Sequence, residues 1–104
     1  TGTHDNDTTA GWYATLDPAT RDLVRRYFGR GDHEVVNAMS RAALASVGRL
    51  AVLPVQDLLQ LGSEARLNRP GTVGGNWSWR LHLDSLTGEL AAHCRDLIQL
   101  HDRR

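Results

Sequence analysis

Near its start the chain places a histidine and two aspartates within four positions, in T-G-T-H-D-N-D-T-T (Thr1–Thr9). Residues of these types so close together could bind calcium, bind a transition metal, or exchange hydrogen bonds and protons with hydroxyl groups. Calcium fails on register. An EF-hand loop begun at Asp5 has Ala10 where the turn requires glycine and Leu16 where a bidentate acid must close the site. Zinc needs nitrogen or sulfur ligands at suitable spacing, and His4, His33, His82, His93 and Cys94 are scattered, with no pair one helical turn apart. No metal and no cofactor is therefore expected. R-P-G-T-V-G-G-N (residues 69–76) is glycine-rich, but a phosphate-cradling loop would follow its last glycine with lysine and a hydroxyl, and the chain contains no lysine. No serine stands between glycines as a hydrolase elbow requires. What remains is His4 and Asp5 on an irregular segment. Aspartate and asparagine favour turns, so a satisfied turn network and a hydroxyl-binding site both stay open.

Bulk properties narrow the partners. The 104 residues carry 12 arginines against 12 acids, a formal net charge of zero with neutral histidines. A nucleic acid or membrane surface recruited by electrostatics needs a basic excess or patch, so neither is expected. There is no signal-peptide pattern and no apolar run near the roughly 20 residues that span a bilayer, which points to a cytoplasmic protein. Cys94 has no cysteine to pair with and is read as a small buried hydrophobe.

The elements that must position the polar cluster follow from local signals. Residues 1–11 read as a polar loop. Asp17-Pro18 is an N-cap followed by proline at the first helical position, and the helix to Phe28 carries Leu23, Val24, Tyr27 and Phe28 on one stripe before Gly29 stops it. Asp32 is expected to cap a second helix with Val35, Val36, Met39, Ala43 and Leu44 on its buried face and Gly48 at its end. L-A-V-L-P-V (Leu50–Val55) has the continuous apolar character of a strand buried on both faces, ended by Pro54, with a helical turn to Leu61. Residues 62–80 form a long Gly/Pro-rich loop. A last helix runs from Leu86 to about Arg103, capped by Asp84 or Ser85. No internal boundary divides residues 1–104. One strand cannot satisfy its own amides and carbonyls. The sequence is therefore expected to be part of a larger α/β sheet, mostly helical by itself, with Thr1 at a cut end.

Three stretches carry a resemblance: T-G-T-H-D-N-D-T-T at 1–9, L-A-V-L-P-V-Q-D-L-L at 50–59 and G-S-E-A-R-L-N-R-P-G-T-V-G-G-N-W-S-W-R at 62–80. In this order they resemble the closing portion of the 4-α-glucanotransferases, the amylomaltases or disproportionating enzymes of the α-amylase-like superfamily. The resemblance implies an α/β fold, the C-terminal part of a (β/α)8 TIM barrel. Thr1–Thr3 would be the exit of strand 7, residues 50–53 strand 8, and the final helix would close the chain. In such barrels the active site lies at the C-terminal ends of the strands.

The implied chemistry is retaining transfer of α-1,4-glucan segments from a donor to the 4-hydroxyl of a maltooligosaccharide or glucose acceptor. Matched by position, Asp5 would be the carboxylate that stabilises the transition state, and His4 and Asn68 would bind the reacting sugar. Asp7, Gln56, Asp57, Glu64, Arg66, Trp77 and Trp79 would fix the loops or touch substrate, and buried anchoring is the favoured reading of both tryptophans. The nucleophile and the acid/base have no counterpart in these residues. The chain by itself is thus expected to be inactive and to need the remainder of the barrel as its partner. The competing reading is a stand-alone, non-catalytic α-glucan-binding module.

Overall fold

The computed structural model describes residues 1–103, and it is helical. Helix α1 spans Thr9–Thr15 and begins inside the segment expected to be loop. Its cap is Thr8, whose side chain accepts from the Gly11 amide at 3.1 Å. The Thr-Thr pair after the aspartates thus starts a helix as soon as one hydroxyl can satisfy a free amide.

Helix α2, Pro18–Phe28, has the expected bounds. Asp17 accepts from the Thr20 amide at 2.9 Å and the Thr20 hydroxyl at 2.7 Å, and Gly29 ends the helix with φ +63°. Its apolar stripe is not covered as expected. No α2 residue is buried, and Tyr27 is 82% exposed.

A single 3-10 turn, Asp32–Glu34, leads into α3, Val35–Leu44. Asp32 does not cap that helix. Its carboxylate instead accepts from the Tyr13 hydroxyl and from Arg25 Nη1 at 3.1 Å. A charged guanidinium and a phenol offer a stronger electrostatic environment than a backbone amide in a loop, so the tertiary partners win. Val35, Val36, Ser40 and Leu44 are the buried face of α3, with Met39 and Ala43 only half-buried. The helix ends at Leu44 rather than Gly48, and Arg103 serves its open end: Nε donates to the Leu44 carbonyl at 2.6 Å, Nη2 to those of Ser46 and Gly48 at 3.0 and 2.9 Å.

Helix α4 is one turn, Val55–Leu58, and α5 spans Gly88–Leu100. The cap of α5 is Thr87, which accepts from the Leu90 amide at 3.1 Å, not Asp84 or Ser85, which lie in a separate turn at Leu83–Ser85. Cys94 is half-buried. The apolar core is small: Tyr13, Val35, Val36, Leu44, Ala65 and Leu97.

Among the described residues there is no strand. Leu50–Leu53 is irregular, and Leu50 and Val52 are exposed. The reason is pairing. A ladder needs a neighbouring strand, and an apolar run without one cannot satisfy its backbone in sheet form. The Thr1 nitrogen donates to the Val52 carbonyl at 2.6 Å, which lays the start of the chain beside this segment.

Two carboxylates make α2 acid-sensitive. Hydrogen bonds from Thr20 hold Asp17 below the usual carboxylate range, and the Tyr13 hydroxyl followed by Arg25 does the same for Asp32. A depressed folded-state value means the stabilisation is full above the ordinary carboxylate pKa of about 4 and is lost as pH falls through the depressed value. Far-UV circular dichroism titrated downward should therefore lose helicity only below that range. The Asp17→Asn, Asp32→Asn double variant should show a flatter curve, and an unchanged curve would exclude these two groups as the cause.

Candidate functional site

Backbone turn chemistry presents the opening cluster. Asn6 Oδ1 accepts from the Thr3 amide at 2.7 Å and the Thr3 hydroxyl at 3.0 Å, while the Asn6 amide donates to the Thr3 carbonyl at 3.1 Å. This closed turn lifts His4 and Asp5 out of the surface. The loop after the Ser63–Ala65 turn returns to meet them. Asn68 Nδ2 donates to Asp5 Oδ1 at 2.7 Å, and the Asn68 amide donates to the His4 carbonyl at 3.2 Å. His4 Nε2 lies 3.5 Å from the same Asp5 oxygen. The Trp77 ring covers His4, with centroids 5.0 Å apart and planes tilted by 38°.

His4, Asp5, Asn68 and Trp77, drawn from positions more than sixty residues apart, thus form one cluster. The Asp5 side chain is 49% exposed, and among the described residues its contacts converge on Oδ1. Oδ2 is left to accept a hydroxyl from outside.

Trp77 departs from the buried anchor expected of it. It is 54% exposed and sits at φ +59°. Its amide donates to the Leu67 carbonyl at 2.6 Å, which closes the base of the Gly-rich loop and obliges the left-handed backbone. The ring is thus half exposed while it meets His4 at a tilt.

His4 alone of this cluster also lines a cleft of about 280 Å³, together with, among others, Asp7, Val52, Gln56, Asp57 and Arg66. Most polar groups below the rim are spent on the chain itself. Asp57, 4% exposed, accepts from the Thr9 amide at 2.8 Å and the Thr9 hydroxyl at 2.7 Å, and also from the Thr1 hydroxyl. Asp7 accepts from the Thr8 amide at 2.8 Å and from Ser63 Oγ at 2.7 Å. Gly11 lets these groups close up, because a Cβ there would stand 2.6 Å from Asp7 Oδ1 and overlap Ser63 Oγ. Gln56 Nε2 donates to the Ala65 carbonyl at 3.2 Å, and Glu64 accepts from the Gly62 amide at 3.0 Å.

Trp79 is half-buried and lines a separate hollow with Glu64, Arg69 and Asn76 on the other side of the loop, so it does not join His4 and Asp5. Thr9, Ser63 and the Thr3–Asn6 pair are the participants that sequence reasoning missed. The turn pair had a local signal, hydroxyl and amide side chains three apart. The other two had none, since their partners are 48 and 56 residues away.

A family model described as 4-alpha-glucanotransferase matches residues 1–86. The chain belongs to that family. Curated 4-alpha-glucanotransferases of Thermus thermophilus and of Streptococcus pneumoniae are each 47% identical across 99% of this chain, and the chloroplastic/amyloplastic enzyme of Solanum tuberosum is 41% identical across 99%. These alignments cover 22%, 21% and 19% of the three relatives, so the chain spans about a fifth of the length of the curated relatives it matches. Among solved structures, the amylomaltase from Streptococcus agalactiae in complex with acarbose superimposes with a TM-score of 0.91 at 32% identity, covering 98% of this chain and 21% of that one. The described helices and the His4–Asp5 loop thus take an arrangement found within that longer amylomaltase chain.

Proposed function

We propose that these residues form the sugar-gripping corner of a 4-α-glucanotransferase active site, within the last strands and helix of a (β/α)8 barrel. The observation that carries the reading is the pairing of Asp5 with Asn68 beside the His4–Trp77 contact, with His4 also lining a cleft. In the reaction, a carboxylate nucleophile attacks the anomeric carbon of an α-1,4-glucan while a carboxylic acid protonates the departing glycosidic oxygen. The resulting glycosyl-enzyme is then attacked by the 4-hydroxyl of an acceptor sugar, whose proton passes to the same carboxylate group. The retaining geometry needs those two carboxyls on opposite faces of the bond, about 5 Å apart. Asp5 and Asp7 share one loop and cannot fill both places, and by the family resemblance both groups come from elsewhere in the enzyme.

Asp5 has a third task. Its Oδ2 accepts hydroxyl hydrogens of the reacting ring, and its negative charge favours the oxocarbenium-like transition state over the neutral ground state. Asn68 holds Oδ1 and so fixes the carboxylate plane. His4 offers its ring nitrogen to a neighbouring hydroxyl, and Trp77 supplies an apolar face against which a pyranose can lie. The acarbose held by the Streptococcus agalactiae neighbour fits a site built for α-glucan-like rings. The exposed Leu50 and Val52 fit the barrel reading, since neighbouring strands would cover them.

The test is maltotriose disproportionation. The full-length enzyme carrying these residues should release glucose and make longer α-1,4 oligosaccharides, while the 104-residue polypeptide alone should make neither. Transfer by the polypeptide alone would overturn the assignment of the nucleophile and acid/base to other parts of the enzyme. Hydrolysis without transfer by the full-length protein would overturn the reaction.

A further inference from the structure

We propose that Arg66 is a positioning residue that sets the distance between Asp5 and Asn68. The proposal rests on the reading of Asp5 as the group that grips the reacting sugar. One edge of the guanidinium bridges the two segments: Nη2 donates to the Asp5 carbonyl at 2.7 Å and Nε to the Asn68 carbonyl at 2.8 Å. The same two residues are joined above by the Asn68 Nδ2–Asp5 Oδ1 bond of 2.7 Å. Backbone and side-chain contacts therefore close a ring in which the guanidinium is the rigid spacer.

The choice of arginine has a physical reason. Asp5 stands on a raised turn with its side chain half exposed, and a loop so placed wanders unless its backbone is tied. Two carbonyls from distant segments need two donors at fixed spacing on one planar group, which a guanidinium supplies and an ammonium does not. Arg66 is half-buried, and both of its recorded bonds go to main-chain carbonyls of this chain. That edge is occupied and is not available to a sugar. Its effect on the reaction passes through Asp5.

The experiment is a double-mutant cycle in the full-length enzyme that carries this segment. Arg66→Ala should lower kcat about 100-fold, the scale expected when a catalytic group is displaced by roughly 1 Å, with KM moving less than threefold. Guanidinium ion at a non-denaturing concentration should restore part of the loss. Asp5→Asn combined with Arg66→Ala should be no slower than Asp5→Asn alone, because a residue acting only through Asp5 has nothing left to position. Arg66→Lys keeps the charge with less disruption and should recover less than a tenth of the lost kcat, which keeps the proposal testable if the alanine variant does not fold.

Multiplicative losses in the double variant, a rise in KM at constant kcat, or a fully active Arg66→Lys would each overturn the positioning role. Unchanged kcat in Asp5→Asn would instead overturn the reading of Asp5 itself, so the two failures are distinguishable.

Discussion

Replacing Asp5 by asparagine is expected to lower kcat of the full-length enzyme about 1,000-fold, with KM changing little, the signature of an interaction made in the transition state. Asparagine keeps the size of the side chain and one oxygen for the 2.7 Å bond from Asn68. What it removes is the negative charge and one acceptor, the two properties that favour an oxocarbenium-like ring. Asp5 is exposed and caps no helix, so the variant should melt at the wild-type temperature. Initial rates of glucose release from maltotriose measure the effect. A variant that retained more than a tenth of the wild-type kcat would remove Asp5 from the chemistry and reduce the cluster to a turn network.

Asp57→Ala is expected to destabilise the fold by about 3 kcal/mol, the range for stripping partners from buried donors. The carboxylate is almost wholly buried and receives the Thr9 amide, the Thr9 hydroxyl and the Thr1 hydroxyl. Thr9 is itself buried, so its amide and hydroxyl lose their acceptor at a largely desolvated position. These bonds join α4 to the start of α1, and the His4–Asp5 turn hangs from that junction. Urea unfolding measures the loss. Glu64→Ala, at an exposed site, serves as the control and should change stability by no more than about 0.5 kcal/mol. Equal effects in the two variants would show that the Asp57 junction contributes nothing special.

How much of this was legible depends on the reach of each interaction. Asp17, Pro18 and Gly29 give α2 its bounds because a cap, a fixed φ and a left-handed stop act within one turn. Asp32 looks equally like a cap from its neighbours, yet its carboxylate goes to Tyr13, nineteen residues away. Thr87 displaced Asp84 and Ser85 as the cap of α5 by a shift within the boundary error of local signals. The apolar run at residues 50–53 has strand composition and no strand, because a ladder is a property of two segments and composition describes one.

The same division holds at the site. The motif resemblance is what points to His4, Asp5 and Asn68, and residue types and spacing argue against calcium, zinc and phosphate-loop chemistry. The amino-acid sequence determined the local frame: where α2 starts and stops, and which family the chain belongs to. The tertiary structure decided what those residues touch. It placed Trp77 on His4 rather than in a core, spent Asp57 on Thr9, and fixed Arg66 between two carbonyls. Hydrogen bonds act over about 3 Å, and only the folded path of the backbone brings groups sixty residues apart within that reach.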